Sequence, residues 1–213
     1  KNPTVAPYAN LGEFKLRITA KAKNDLEAEN IIKPVKDKLK KEFSKFIFGE
    51  NHDTLPSVLI KELIKRNETI VFAESCTGGL LSSSITSISG SSKIFKGSII
   101  SYSNEVKKSL LNISEDQLKK HGAVSKEVAE AMAVNAKEKL NGDWSISVSG
   151  IAGPDGGSKE KPVGLVHISI IGPNNHITNI KKIFNPTRNR LEIQTLSVNV
   201  CLNSLRLILL SSS

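Results

Sequence analysis

The sequence predicts an α/β fold of three layers, α/β/α, in which a mostly parallel, mixed sheet lies between helices, preceded by a small α+β unit. Two observations carry this prediction. After residue 54, short apolar runs typical of strands alternate with runs of helical spacing for most of the chain, and such alternation is typical of layered α/β proteins. The preceding residues contain one strand pattern and one helix pattern.

The small unit is predicted to span residues 1–49. From Phe14 to Ala20, apolar residues alternate with basic or hydroxyl residues, which is the period of a half-buried strand. A helix is predicted to start with Asp25 as its cap and to kink or break at Pro34. A turn-like composition follows this helix, so we place the second domain at residues 50–213.

The second domain contains the alternating elements. Its predicted strands are Thr69 to Ala73, Ser98 to Ser103, Trp144 to Ser149, Val163 to Ile171 and Ile177 to Phe184. Its predicted helices are Pro56 to Arg66, a helix opening near Gly79, Glu105 to Leu111, Ser125 to Leu140 and a C-terminal helix.

Composition argues against several classes of protein. The apolar stretch from Leu196 to Leu210 is interrupted by Arg206 and two asparagines, so we expect a buried helix and no membrane association. The chain begins without a methionine or an apolar leader, and we expect a piece of a longer cytoplasmic protein. Two cysteines suit neither a disulfide framework nor a zinc site. The net charge of +9 is scattered and interleaved with glutamate, which favours a solvated surface over nucleic-acid binding.

Four segments have compositions that packing alone does not require. Each lies in a loop or at the end of a predicted strand, and ligand sites of open α/β sheets gather at the carboxyl ends of strands. We therefore expect the segments to converge on one crevice. They are AESCTGG at 73–79, SGSS at 89–92, SYSNEVK at 101–107 and SGIAGPDGG at 149–157.

Two of these segments allow two interpretations each. AESCTGG offers backbone amides and a helix start to an anion, but tight turns with a helix cap are common and the motif alone favours that simpler interpretation. The glycine-rich run from Gly153 either brings backbone close to a ligand or is a flexible surface loop, with equal support from composition.

Taken in order, the segments resemble the C-terminal domain of the CinA family, which also occurs alone as bacterial nicotinamide mononucleotide deamidase. The resemblance rests on AESCTGG, SGSSKIFKGSIISYSNEVK, HGAVS and SGIAGPDGGSKEKPVG, all in family order. Upstream, NPTVAPYA and the strand and helix after it look like the KH-type domain of full-length CinA. The resemblance implies a KH-type domain over 1–49 and an amidohydrolase domain over 50–213. We expect the family's N-terminal domain, similar to molybdopterin-binding folds, to be absent from this sequence.

The resemblance also implies roles for individual residues. It maps the nucleophile onto Ser92, the general base onto Lys107 and a neighbouring tyrosine onto Tyr102. From the residues alone, Ser91 is an equal candidate, a loop serine without a role is the simpler interpretation, and Lys107 would be a solvated lysine beside Lys108. A lysine base must be neutral, so its pKa has to be lowered.

Further residues are expected to contact the substrate or its oxyanion. Arg188 matches an arginine that the family places in the active site, although Pro186-Thr187 stands here where the family often has Gly-Asp. An arginine can grip phosphate with two parallel hydrogen bonds. The complete set of expected substrate-binding residues is Ser75, Thr77, Gly78, Ser149, Gly153 and Arg188.

Three functions remain as hypotheses. The first is an amidase that hydrolyses nicotinamide mononucleotide to nicotinic acid mononucleotide and ammonia through a serine–lysine dyad and an acyl-enzyme, without metal or organic cofactor. The second is a non-catalytic nucleotide-binding module that serves competence and DNA repair. The third, nucleic-acid binding by residues 1–49, is not favoured because that segment has no GxxG loop.

We expect a homo-oligomer. Cys76 at a helix start is a rival nucleophile, with His121 as its base.

Overall fold

The computed structural model describes residues 1–211, which form two compact units, Lys1–Thr54 and a second unit that begins at Leu55. In the first unit, β1 (Thr4–Asn10) and β2 (Glu13–Thr19) form an antiparallel hairpin, and α1 (Asp25–Glu42) follows. The sequence patterns missed β1, which contains Pro7. Proline is tolerated there because each strand of a two-stranded sheet has a free edge.

The helix of the first unit differs from the prediction in two details. Asn24, and not Asp25, is the N-cap, because its side chain accepts a hydrogen bond from the amide of Glu27 at 2.9 Å. Pro34 lies inside the helix, which continues past it to Glu42, so the predicted break is absent.

The second unit contains a five-stranded mixed sheet. Its strands are β3 (Ile70–Glu74), β4 (Phe95–Ile100), β5 (Trp144–Gly150), β6 (Leu165–Ile171) and β7 (Ile177–Ile183). Their order in the sheet is β4-β3-β5-β6-β7. Strand β3 is parallel to both of its neighbours, whereas the β5–β6 and β6–β7 pairings are antiparallel.

Helices cover both sides of this sheet, which confirms the predicted layered α/β class. On one side, α6 packs against the sheet along its length. On the other side, α3 and α7 contact the sheet, and α2 packs against these two helices. The helices are α2 (Leu55–Arg66), α3 (Leu80–Thr86), α4 (Asn104–Leu111), α5 (Glu115–His121), α6 (Lys126–Leu140) and α7 (Arg190–Ser211). Sequence patterns missed α5, a short helix with a capping box between Ser114 and Gln117.

The last helix, α7, is long and apolar enough to span a membrane by length and composition alone. In this unit it contributes to the protein core. Its buried residues are Ile193, Ser197, Val198, Cys201, Leu202, Leu205, Arg206 and Leu209. This burial agrees with the buried helix expected from the sequence.

The register of the sheet sets the location of the candidate site. Glu74, the last residue of β3, lies opposite Ile100 in β4 and Val148 in β5. The three parallel strands therefore end together, and the residues that follow them meet at one edge of the sheet.

Candidate active site

Three of the four predicted segments meet at this carboxyl edge. Backbone hydrogen bonds continue past the strands: the amide of Ser75 donates to Val148 O at 3.0 Å, and that of Ser101 donates to Glu74 O at 2.8 Å. Ser149 belongs to the end of β5 at the same edge. The turn after β3, the segment after β4 and the loop after β5 are thus joined by the backbone.

Lys107 brings an amine into this edge. Ser103 caps α4 by accepting from the amide of Val106, and Lys107 follows in the first turn, with 1% of its surface exposed. Its Nζ donates to Ser75 Oγ at 3.0 Å. It also donates to the carbonyl oxygens of Ser101, at 2.6 Å, and Tyr102, at 3.3 Å.

Burial lowers the pKa of Lys107 to about 8, although the Cys76 thiol acts weakly in the opposite direction. Within residues 1–211, no carboxylate lies within 4 Å of the amine to stabilise its charged form. Carbonyl oxygens can only accept hydrogen bonds. In the neutral amine, the two N–H groups therefore remain directed at Ser101 and Tyr102, and the lone pair is left facing the Ser75 hydroxyl.

The structure does not bring Ser92 to Lys107. Ser92 is exposed in a short 3-10 turn, Ser91–Lys93, immediately before β4. Since β4 is parallel to β3 and six residues long, Ser92 lies at the opposite edge of the sheet, roughly 20 Å along the strand direction from Ser101. The pairing of Ser92 with Lys107 is thus corrected, and the hydroxyl beside the amine belongs to Ser75.

A buried carboxylate holds the turn that carries Ser75. Glu74 is fully buried, and its Oε2 accepts from Thr77 Oγ1 at 2.7 Å and from the amides of Gly79 and Leu81 at 3.0 and 3.1 Å. Its Oε1 accepts from the amide and the hydroxyl of Ser82. Five donors therefore satisfy the charge without a cation. Gly78 and Gly79, with φ of 59° and 103°, provide the left-handed backbone that this turn needs.

Two backbone amides of the same turn are candidate donors to a ligand. Within the described residues, the backbone N–H groups of Cys76 and Thr77 donate to no other residue, although both residues are at most 4% exposed. Buried amide donors without acceptors are rare in proteins. These two amides directly follow Ser75 in the chain, which makes them candidate donors to an oxyanion formed by attack of its hydroxyl.

The remaining predicted residues occupy different places around the edge. The hydroxyl of Thr77 is engaged with Glu74, and that of Ser149, which is 1% exposed, donates to Ala123 O at 2.7 Å. Gly78 is exposed. Two predicted substrate-binding hydroxyls are therefore already used to hold the loops together.

Arg190, which sequence analysis did not select, lies against two of the predicted site residues. Its Nη1 donates to Gly153 O at 2.7 Å and its Nη2 to the hydroxyl of Tyr102 at 2.6 Å. Arg188 is exposed, and its nearest charged neighbour is Glu192 at 3.7 Å. Arg190, and not Arg188, therefore contacts the other predicted site residues.

Cys76 does not have the properties of a nucleophile. Its thiol is buried, and desolvation raises its pKa to about 12, against the weaker opposing effects of Arg190 and Lys107. The ring of His121, the proposed base, lies beside Glu127, with 3.6 Å between His121 Nδ1 and Glu127 Oε2. The structure therefore contradicts the rival cysteine hypothesis.

Comparison with known proteins assigns both units to one family. Residues 52–209 match the CinA C-terminal domain, and residues 1–49 match the KH domain of damage-inducible protein CinA. The chain belongs to the CinA family. CinA-like proteins from two strains of Prochlorococcus marinus, AS9601 and MIT 9215, are 81% and 82% identical to it over its whole length. The chain spans 50% of each of these relatives.

Solved CinA structures share the fold of the second unit. A competence/damage-inducible protein from Agrobacterium tumefaciens is 33% identical, with a TM-score of 0.70 over 75% of this chain and 96% of that one. A CinA superfamily protein from Klebsiella pneumoniae is 25% identical, with a TM-score of 0.71 over 76% of this chain and 99% of that one. Within residues 1–211, no cluster of three or more histidine, cysteine, aspartate or glutamate residues is arranged to hold a metal ion.

The Glu74 carboxylate gives a prediction about stability in this CinA-family domain. In Glu74→Gln, one acceptor oxygen becomes an NH₂ donor. That NH₂ group faces either the amide and hydroxyl of Ser82, which donate to Oε1, or the donors to Oε2. We expect the free energy of unfolding to fall by about 3 kcal/mol, because charge-assisted bonds are lost and buried donors are left unsatisfied. Urea denaturation followed by circular dichroism measures this loss.

The matched control is Glu138→Gln, which removes the same charge from an exposed position near the end of α6. We expect this control to change the unfolding free energy by less than about 0.5 kcal/mol. Equal effects of the two substitutions would contradict the role assigned to Glu74.

Proposed function

We propose that this chain is an amidase that hydrolyses the carboxamide of nicotinamide mononucleotide to nicotinic acid mononucleotide and ammonia. One observation carries the chemical part of the proposal: the 3.0 Å hydrogen bond between Lys107 Nζ and Ser75 Oγ, made by a buried amine with a pKa lowered to about 8. A neutral amine beside a hydroxyl is the arrangement that general-base activation of a nucleophile requires. The substrate part rests on the resemblance to the family's deamidases.

In the proposed first step, Ser75 Oγ attacks the carboxamide carbon while the lone pair of Lys107 takes the hydroxyl proton. The carbonyl oxygen becomes an oxyanion, which the free amides of Cys76 and Thr77 stabilise. Each such donor is commonly worth about 3 kcal/mol of transition-state stabilisation. Protonated Lys107 then gives its proton to the departing nitrogen, which leaves as ammonia and produces an acyl ester on Ser75.

The second half of the reaction regenerates the enzyme. Water attacks the ester carbonyl, neutral Lys107 takes one of its protons, and the C–O bond to Ser75 breaks. The proton returns to Ser75 Oγ, and the carboxylate product leaves. The same amine and the same oxyanion donors therefore serve both half-reactions.

The first test compares three alanine variants by ammonia release from nicotinamide mononucleotide. Ser75→Ala and Lys107→Ala are expected to lower kcat by at least about 1000-fold, because each removes a member of the dyad. Ser92→Ala is the matched control, since it removes a hydroxyl from an exposed turn at the other edge of the sheet. Loss of activity in Ser92→Ala with full activity in Ser75→Ala would overturn the assignment.

The lowered pKa of Lys107 also predicts the pH dependence. Only the neutral amine acts as a base, so kcat/KM should rise with pH, pass its midpoint at about 8 and level off above that value. At pH 6 the neutral fraction is about one hundredth of its plateau value. Lys107→Arg keeps its charge throughout this range, and we expect it to be inactive at every pH. A flat profile between pH 6 and 9 in the parent protein would contradict a lysine base.

A further inference from the structure

The guanidinium of Arg190 is held at the candidate site by neutral groups only. Arg190 is the first residue of α7 and is half-buried. Its guanidinium donates to Gly153 O, at 2.7 Å, and to the Tyr102 hydroxyl, at 2.6 Å. Both partners are uncharged, so they orient the guanidinium without neutralising it.

The positive charge of Arg190 has no carboxylate partner. Within residues 1–211, no aspartate or glutamate oxygen lies within 4 Å of its guanidinium, whereas Arg188 pairs with Glu192 at 3.7 Å. A guanidinium has five N–H donors, and two bonds leave donors for another group. A partly buried cation without an anion is costly unless a ligand supplies the anion.

Arg190 is connected to the proposed reaction centre on two sides. Tyr102 links it to the base, because the tyrosine hydroxyl accepts from Arg190 and the tyrosine carbonyl accepts from Lys107. One helical turn further, the Gln194 side chain donates to Cys76 O at 2.7 Å, in the turn that carries Ser75. The start of α7 therefore contacts all three loops of the site. Tyr102 contacts both Arg190 and Lys107.

We propose that Arg190 binds the anionic group of the substrate and thereby selects a phosphorylated carboxamide over an unphosphorylated one. The guanidinium fork matches two oxygens of a phosphate monoester, and a group bound there would lie on the far side of Tyr102 from the Ser75–Lys107 dyad. This proposal rests on the proposed amidase function. It assigns phosphate recognition to Arg190 in place of Arg188.

The test compares ammonia release from nicotinamide mononucleotide and from nicotinamide riboside, which is the same molecule without its phosphate. For Arg190→Gln we expect kcat/KM on the mononucleotide to fall by about 100-fold, mainly through KM, because a charge-assisted two-point contact is lost. On the riboside we expect kcat/KM to change by less than about twofold. This substrate has no phosphate, so the substitution removes no contact that contributes to its binding. Circular dichroism confirms that the variant is folded.

Lys139→Gln is the matched charge control. Lys139 is exposed in the last turn of α6, just before the amino end of β5 and therefore at the opposite edge of the sheet. We expect it to change neither rate. An equal fall on both substrates in Arg190→Gln would overturn the proposal, because it would indicate a structural role. Phosphate discrimination that is lost in Arg188→Gln and kept in Arg190→Gln would also overturn it.

Titration calorimetry with ribose 5-phosphate separates this proposal from the amidase assignment. If the parent protein releases no ammonia from either amide, the proposed function fails, and the titration alone decides the anion site. Binding by the parent that Arg190→Gln weakens by at least about tenfold would support the site. Absence of binding by the parent, or equal binding by both proteins, would overturn it.

Discussion

The amine of Lys107 is buried, and no carboxylate among the described residues pairs with it. The arrangement of the carboxyl edge of the sheet depends on how that burial is tolerated. Taking an ammonium out of water is costly. Two carbonyl oxygens and one hydroxyl surround the nitrogen, and none of them holds the proton as a carboxylate would. The balance moves toward the neutral amine, which is reflected in the lowered pKa of about 8. In the proposed reaction, the burial that lowers this pKa is what allows the amine to act as a base.

The carboxylate of Glu74 would defeat this arrangement if it reached Lys107, because an adjacent negative charge favours the ammonium form. Instead, five donors from the following turn and the start of α3 satisfy both of its oxygens. Ser75, the next residue, is left to face the amine. The buried carboxylate at the end of β3 and the buried amine of α4 thus stay separate, and the same hydrogen bonds that hold Glu74 fix the position of Ser75.

Sequence periodicity predicts the layered fold because the buried strands and amphipathic helices have distinct spacing, and family resemblance selects the loops of the site. It selected Ser92, whereas the structure places Ser75 beside Lys107. Ser75 and Ser92 are both hydroxyls among small residues, but Ser75 follows β3 and Ser92 precedes β4. Because the structure pairs these two strands in parallel, the two serines lie at opposite edges of the sheet. Arg190 could not be distinguished from Arg188 in this way, since the two are separated by one residue where α7 begins and their tertiary contacts differ.

The most direct test of the Ser75–Lys107 centre is to locate the acyl group during turnover. Rapid acid quenching of the parent protein with nicotinamide mononucleotide, followed by trypsin digestion, yields a peptide that contains both Ser75 and Ser92, since cleavage follows Arg66 and Lys93. Fragmentation of that peptide in a mass spectrometer distinguishes the two serines. We expect the acyl group of nicotinic acid mononucleotide, with its ribose phosphate still attached, as an ester on Ser75. An ester on Ser92, or turnover without any acylated serine, would contradict it.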